Sequence, residues 1–222
     1  QDIWQGFSLL QTQDFQKCTL KMSYRITNEM ASYVNDVMLG EQRLNACRAG
    51  PTVYYMRDST RNLQILVSCR IKELIQQGVD PSDIFVLGAS VKGENSQIRK
   101  IENVLTNAYI PCYVPMMEDA KIDEKVIEGK VVFSTFHCVK GRQRPYVFVV
   151  GFDQSYMSYF ARNLDQNRCP NTLYVATTRA TQRLFLLESD QFVEDRPLKF
   201  LKKDHHEMMT LPYIEFKGRP QR

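Results

Sequence analysis

At 222 residues the chain has the length of one ordinary domain, and its 43% apolar and 24% charged residues exclude a disordered polypeptide. Lys plus Arg is 29 and Asp plus Glu is 25; the resulting net charge of +4 permits a polyanionic partner without demanding one. The six cysteines (Cys18, Cys47, Cys69, Cys112, Cys138, Cys169) are scattered with no C-x-x-C pair, which favours reduced thiols in an intracellular protein over a metal site, and no apolar run approaches the ~20 residues of a membrane span.

The opening "QDIWQGF" lacks an initiator Met and reads as part of a longer protein. After an extended run ending in "CTLKMSYRI", "TNEMASYVNDVMLG" predicts a helix with Thr27 as cap, Met30, Val34, Val37 and Met38 on one face, and Gly40 as stop. "PTVYYM" is strand-like. "STRNLQILVSCRIKELIQQG" is the clearest helix, with Ser59 capping it, Leu63, Leu66, Val67, Ile71, Leu74 and Ile75 forming its stripe, and Gly78 ending it. "DIFVLGAS" is a buried strand, and "NSQIRKIENVLTNAYIP" a helix with Ile98, Ile101, Leu105 and Ala108 inward. "KVVFSTF", "YVFVVGF" and "RLFLLES" are continuous apolar runs of strand length. Runs apolar on both faces belong to a parallel sheet covered by helices on each side, so the expected class is a layered α/β domain. The stretch after Asp190 is more charged and reads as a looser extension, residues 190–222, beyond a domain of residues 1–189.

Three stretches bear on chemistry. "GASVKGEN" has Gly88 and Gly93 at phosphate-loop spacing, but Glu94 and Asn95 stand where Lys and Ser or Thr would bind phosphate and Mg²⁺, so it reads as a strand-end turn. No strand ends in an Asp-Glu pair suited to Mg²⁺ and water activation. "STFHCVKGRQRPYVFVVGF" carries His137, Lys140 and Gly141 in a turn beyond a strand's carboxyl end, either a ligand site or a solvated basic turn. "LYVATTRA" delivers Arg179 at a helix end, where a fork that keeps its charge suits phosphate oxygens or a structural ion pair.

Together these stretches resemble the second RecA-like domain of UvrD/Rep-type superfamily 1 helicases. "LKMSYRITNEMASYVN" resembles that family's motif IV, "VVFSTFHCVKGRQRPYVFVVG" its motif V ("T-x-H-x-x-K-G-x-E"), and "NTLYVATTRATQRLFLLES" its motif VI ("L-x-Y-V-A-x-T-R-A"). "QDIWQGF" is similar to the back half of motif III, and "DIFVLGAS" through "YIPCYV" to the stretch between motifs IV and V.

The resemblance implies a RecA-like fold of the P-loop NTPase type and a set of roles. Arg25 would reach the nucleotide phosphates across an interdomain cleft, and Arg179 would be the arginine finger on the γ-phosphoryl group. Gly141 and Gln143 would contact the nucleotide sugar, and Gln1 would lie near the γ-phosphate. Thr135 and His137 would meet the backbone of single-stranded DNA, with Trp4 abutting the strand path. ATP and Mg²⁺ would be bound mainly by an N-terminal RecA-like domain of the same protein. The other partner would be single-stranded DNA or a duplex/single-strand junction, with no membrane involved, and the location the cytoplasm or nucleus.

The sequence departs from the family at Gln143, where Glu is usual, and at Phe7, near the place of a motif III arginine. Residues 114–130 leave no room for the helical subdomain that larger members insert. The expected activity is that of half an ATP-driven DNA helicase or translocase of 3′ to 5′ polarity. The rival readings are a degenerate RecA-like interaction scaffold and the helicase lobe of a helicase–nuclease.

Overall fold

The computed structural model describes residues 22–92, 96–115, 123–139, 141–191 and 198–218. Among them, seven strands form one sheet: β1 (Val53–Asp58), β2 (Ile84–Gly88), β3 (Cys112–Tyr113), β4 (Val131–Thr135), β5 (Arg144–Val150), β6 (Ala180–Ser189) and β7 (Ile214–Lys217). Their order across the sheet is β3-β4-β2-β5-β6-β1-β7, and every pairing is parallel.

The continuous apolar runs have a direct cause. Successive strand residues point to opposite faces, and both faces are covered. Phe85 and Leu87 of β2, Val147 and Val149 of β5, and Leu184 and Leu186 of β6 enter one core. Their neighbours Ile84, Val86, Phe148, Val150, Phe185 and Leu187 enter the other. Each such side chain contributes roughly 1.5–3 kcal/mol when fully buried.

Helix α1 (Asn28–Ser32) is capped as expected, with Thr27 Oγ1 accepting from the Met30 amide. It continues as a wider π-type coil over Tyr33–Leu39 and ends at Gly40 in the left-handed region (φ 71°). The wider coil holds Tyr33, Val34, Asn35, Val37 and Met38 all buried. The Asn35 side chain is satisfied there by Gln42, Leu44 and Arg43.

On the other face lie α2 (Thr60–Gln76) and α3 (Gln97–Asn107), capped by Ser59 and Ser96. Leu63, Val67, Ile71 and Leu74 of α2 are buried, while Leu66 lies at the margin of the stripe and is exposed. Short helices α4 (Glu124–Ile127), α5 (Asn171–Thr177) and α6 (His205–Thr210) return to the first face, where Ile127, Leu173, Ala176 and Met208 are buried.

Residues 198–218 belong to this same core. Leu198, Phe200, Leu201 and Met208 are buried, and β7 pairs with β1. A buried cluster ties the segment down. Glu188 of β6 accepts from Tyr55 Oη at 2.7 Å and Arg57 Nε at 3.0 Å, and lies 2.8 Å from His205 Nε2. The charged composition of this stretch conceals one apolar face, so the expectation of looseness does not hold for its described residues. No helix among the described residues is long and apolar enough to cross a membrane.

Candidate functional site

Because all strands run the same way, the sheet has an amino edge and a carboxyl edge, and the singled-out residues sort between them. Arg179 lies between the end of α5 and the first residue of β6. β6 starts earlier than the apolar run suggested, so only Thr178 and Arg179 separate helix from strand.

That short junction fixes the guanidinium. Arg179 Nε donates to Val175 O at 2.8 Å, Nη1 to Arg142 O at 3.2 Å, and Nη2 to Thr178 Oγ1 at 3.4 Å. Its own carbonyl accepts from the Arg144 amide at 3.1 Å. The loop carrying Gly141 and Gln143 is thus bonded to Arg179 on both sides. Gly141 has φ +84°, and a Cβ there would meet nothing within 4 Å, so glycine serves the backbone conformation and not the space.

No described carboxylate pairs with Arg179. Its guanidinium is shifted below the ordinary arginine value, first by burial and then by the nearby positive charge of Arg25. It stays cationic at physiological pH nonetheless. Arg25 itself is exposed, on the segment before α1.

Arg48 straps that segment in place: its Nη2 donates to the Arg25 carbonyl at 3.1 Å and also to the Thr181 carbonyl. The Asn28 amide donates to Arg48 O at 2.8 Å, and the Gly50 amide to Glu29 Oε2 at 2.7 Å. Two neighbouring cations, Arg142 and Arg144, are occupied by Glu124, at 3.5 and 2.6 Å. The amino edge therefore holds Arg25, Arg179, Gly141 and Gln143 together, with the first two cations facing no described acid.

Thr135 and His137 lie at the opposite edge. Thr135 ends β4 and is 2% exposed, its hydroxyl donating to Cys138 Sγ at 3.2 Å. His137 follows the Phe136 anchor, whose amide donates to Gly88 O, and is exposed. The chain then runs from the carboxyl end of β4 to the amino end of β5 over residues 136–143, its described part pinned to the core by Phe136 and Val139. One loop thus links the two candidate regions. Gln1 and Trp4 lie outside the described residues.

No protein-family model matches the chain, and no curated protein matches it. Among solved structures, the C-terminal domain of a possible DNA helicase from Lactobacillus plantarum WCFS1 is similar, with a TM-score of 0.51 and 14% sequence identity. The likeness covers 74% of this chain and 86% of that one. The fold is RecA-like. At that identity the likeness speaks of the fold alone, and the chemistry rests on the side chains.

Arg48 and Glu124 were not visible as site residues in the sequence. Neither stands out from the polar stretch around it, and the approach of distant segments gives each a partner. Among the described residues no group of three His, Cys, Asp or Glu side chains could hold a metal ion.

Proposed function

We propose that this chain is the second motor lobe of an ATP-driven DNA helicase or translocase of the UvrD/Rep type. The observation that carries the reading is the pair Arg25 and Arg179, two neighbouring cations that face no described carboxylate. Like charges brought together raise the free energy of the empty site, and a polyphosphate placed between them lowers it. Three of the five Arg179 N–H donors are engaged by the protein, and two remain for a ligand.

In this reading Arg179 stabilises charge on the transferring γ-phosphoryl group, and Arg25 binds phosphate beside it. The Gln143 amide reaches toward the sugar, from a loop that Arg179 itself orients. The phosphate loop, the Mg²⁺ ligands and the group that activates water come from a first RecA-like lobe. His137 and the carboxyl edge face the nucleic acid, and the β4–β5 loop couples that edge to the nucleotide edge. Polarity of 3′ to 5′ is part of the same proposal.

The test is steady-state ATPase kinetics on the intact motor protein with saturating single-stranded DNA. Arg179→Ala and Arg179→Lys each lower kcat on the order of 10³-fold, because Lys keeps the charge and loses the planar fork. KM for ATP changes much less. Near-normal kcat in either variant would overturn the reading.

A further inference from the structure

We propose that Tyr159 and Phe160 form a base-stacking platform for a single-stranded nucleic acid, beside phosphate contacts from Arg162 and His137. The inference deepens the motor reading and rests on it for the identity of the occupant. Tyr159, Phe160 and Arg162 belong to none of the motifs that carried the sequence resemblance.

The platform stands at the carboxyl edge. A single π-type turn, Tyr156–Phe160, follows β5; it buries Tyr156 and Met157 but leaves Tyr159 62% and Phe160 55% exposed. Isolated exposed apolar residues are ordinary on protein surfaces. These two are adjacent and concave: with His137, Arg162, Leu164 and Thr172 they line a cavity of about 420 Å³.

Phe160 is supported from beneath. Phe160 stacks on Tyr156 with centroids 6.4 Å apart and planes at 14°, and Tyr156 packs edge-on against Phe136 at 5.4 Å. The Tyr156 hydroxyl is hydrogen-bonded to Thr172 at the start of α5. Phe136 is the core residue immediately before His137, so the aromatic ladder and the imidazole share one anchor.

Arg162 is held as well. Its Nε donates to Ser158 O at 2.6 Å, and its guanidinium carbon lies 6.0 Å from the centre of the Tyr159 ring. That leaves a planar cation fixed beside an exposed aromatic face.

Charge selects the occupant. Among the described residues lining this cavity none is acidic. An adjoining cavity of about 530 Å³ shares Phe160 and continues the groove toward Ser90 and Ser96. A cavity whose described lining carries Arg162 and His137 beside exposed aromatic rings, and no acid, matches a chain of phosphates carrying unpaired bases. Any base can stack on such rings, so recognition by this platform is independent of sequence.

The experiment compares two fluorescein-labelled 12-mers of equal charge, oligo-dT and a fully abasic strand, by anisotropy with the 222-residue chain at low salt. Stacking is worth about 1–3 kcal/mol per base, so dT is expected to bind at least roughly tenfold more tightly than the abasic strand. The double variant Tyr159→Ala/Phe160→Ala binds dT no better than the abasic strand, with an unchanged melting temperature. Tyr159→Phe keeps the native ratio. Equal affinity of the native chain for the two strands overturns the proposal, as does a ratio that survives the double variant, or binding of neither strand. Salt-sensitive binding without a base preference would sink stacking alone and leave the motor reading standing, since that reading fails through the Arg179 kinetics.

Discussion

Arg57 and Arg179 both sit at strand ends of one sheet, and the fold treats them in opposite ways. Arg57, near the carboxyl end of β1, has a side chain 10% exposed and donates through Nε to Glu188, itself 1% exposed. Tyr55 and His205 complete the shell around that carboxylate. Arg179, at the amino edge, is oriented by main-chain carbonyls and a threonine hydroxyl, with no described acid beside it. Carbonyls fix the direction of a guanidinium without cancelling its charge, whereas a carboxylate does both. On the proposed reading, the arginine that serves stability is neutralised, and the one that meets an incoming anion is aimed and left charged.

The sharpest way to break this contrast is to cross the two variants. In the intact motor, Arg179→Ala is expected to lower kcat on the order of 10³-fold, about 4 kcal/mol of transition-state stabilisation, while the melting temperature is unchanged. Arg57→Ala should do the reverse, lowering the melting temperature while the folded fraction keeps its turnover. A thermal melt and ATPase kinetics on the same preparations separate the cases, and a destabilised Arg179 variant with normal turnover would erase the distinction.

Next in size is the carboxylate. Glu188→Ala leaves Arg57, His205 and the Tyr55 hydroxyl buried around a gap, a class of change that costs about 3–5 kcal/mol. For a chain of this length the melting temperature should fall by roughly 10 °C. Glu188→Gln, which retains an acceptor, should fall less. A melt for Glu188→Ala indistinguishable from the native one would show that the cluster does not hold residues 198–218 to the sheet.

A smaller effect sharpens the acidic side of the comparison. Asp153 accepts from the Ser155 amide and hydroxyl and from the Ser189 amide, yet burial raises its carboxyl above the ordinary aspartate value. A raised acid binds its proton more tightly in the folded chain than in the unfolded one. Its contribution to stability is therefore most favourable below the ordinary value of about 4 and declines as pH rises through the raised value. Asp153→Asn removes that decline, so the native chain's advantage in melting temperature over the variant should shrink between pH 4 and pH 7. A constant difference across that range would count against it.

The smallest expected effect concerns the nucleotide edge. Gln143 is exposed, and Gln143→Glu offers an ionised acceptor to a sugar hydroxyl. In the motor this should lower KM for ATP by roughly two- to tenfold with kcat unchanged. A raised KM would mean that position 143 does not face the sugar.

The layered α/β class, the caps Thr27 and Ser59 and the central strands were legible in the amino-acid order, because each depends on neighbours a few residues away. Periodicity reports burial on two faces, and a hydroxyl before a helix reports its start. Leu66 shows the limit of such reasoning: its spacing fits the stripe, but the fold leaves it exposed. The residues 198–218 show another, since short apolar steps among charges do not announce an edge strand until β1 is there to receive it.

The site divides along the same line. Arg179 could be picked out from its place after a helix, and Arg25 from the segment that precedes one. That they meet with the Gly141–Gln143 loop, with no described acid paired to either of them, depends on segments more than a hundred residues apart arriving at one edge of a parallel sheet. Arg48 and Glu124 take their meaning from that arrival, and the Tyr159–Phe160 pair takes its own from what the fold packs at the carboxyl edge. Short-range preferences are set by covalent neighbours and survive in any context, whereas the field around a charge and the exposure of a ring are sums over whatever the fold packs beside them.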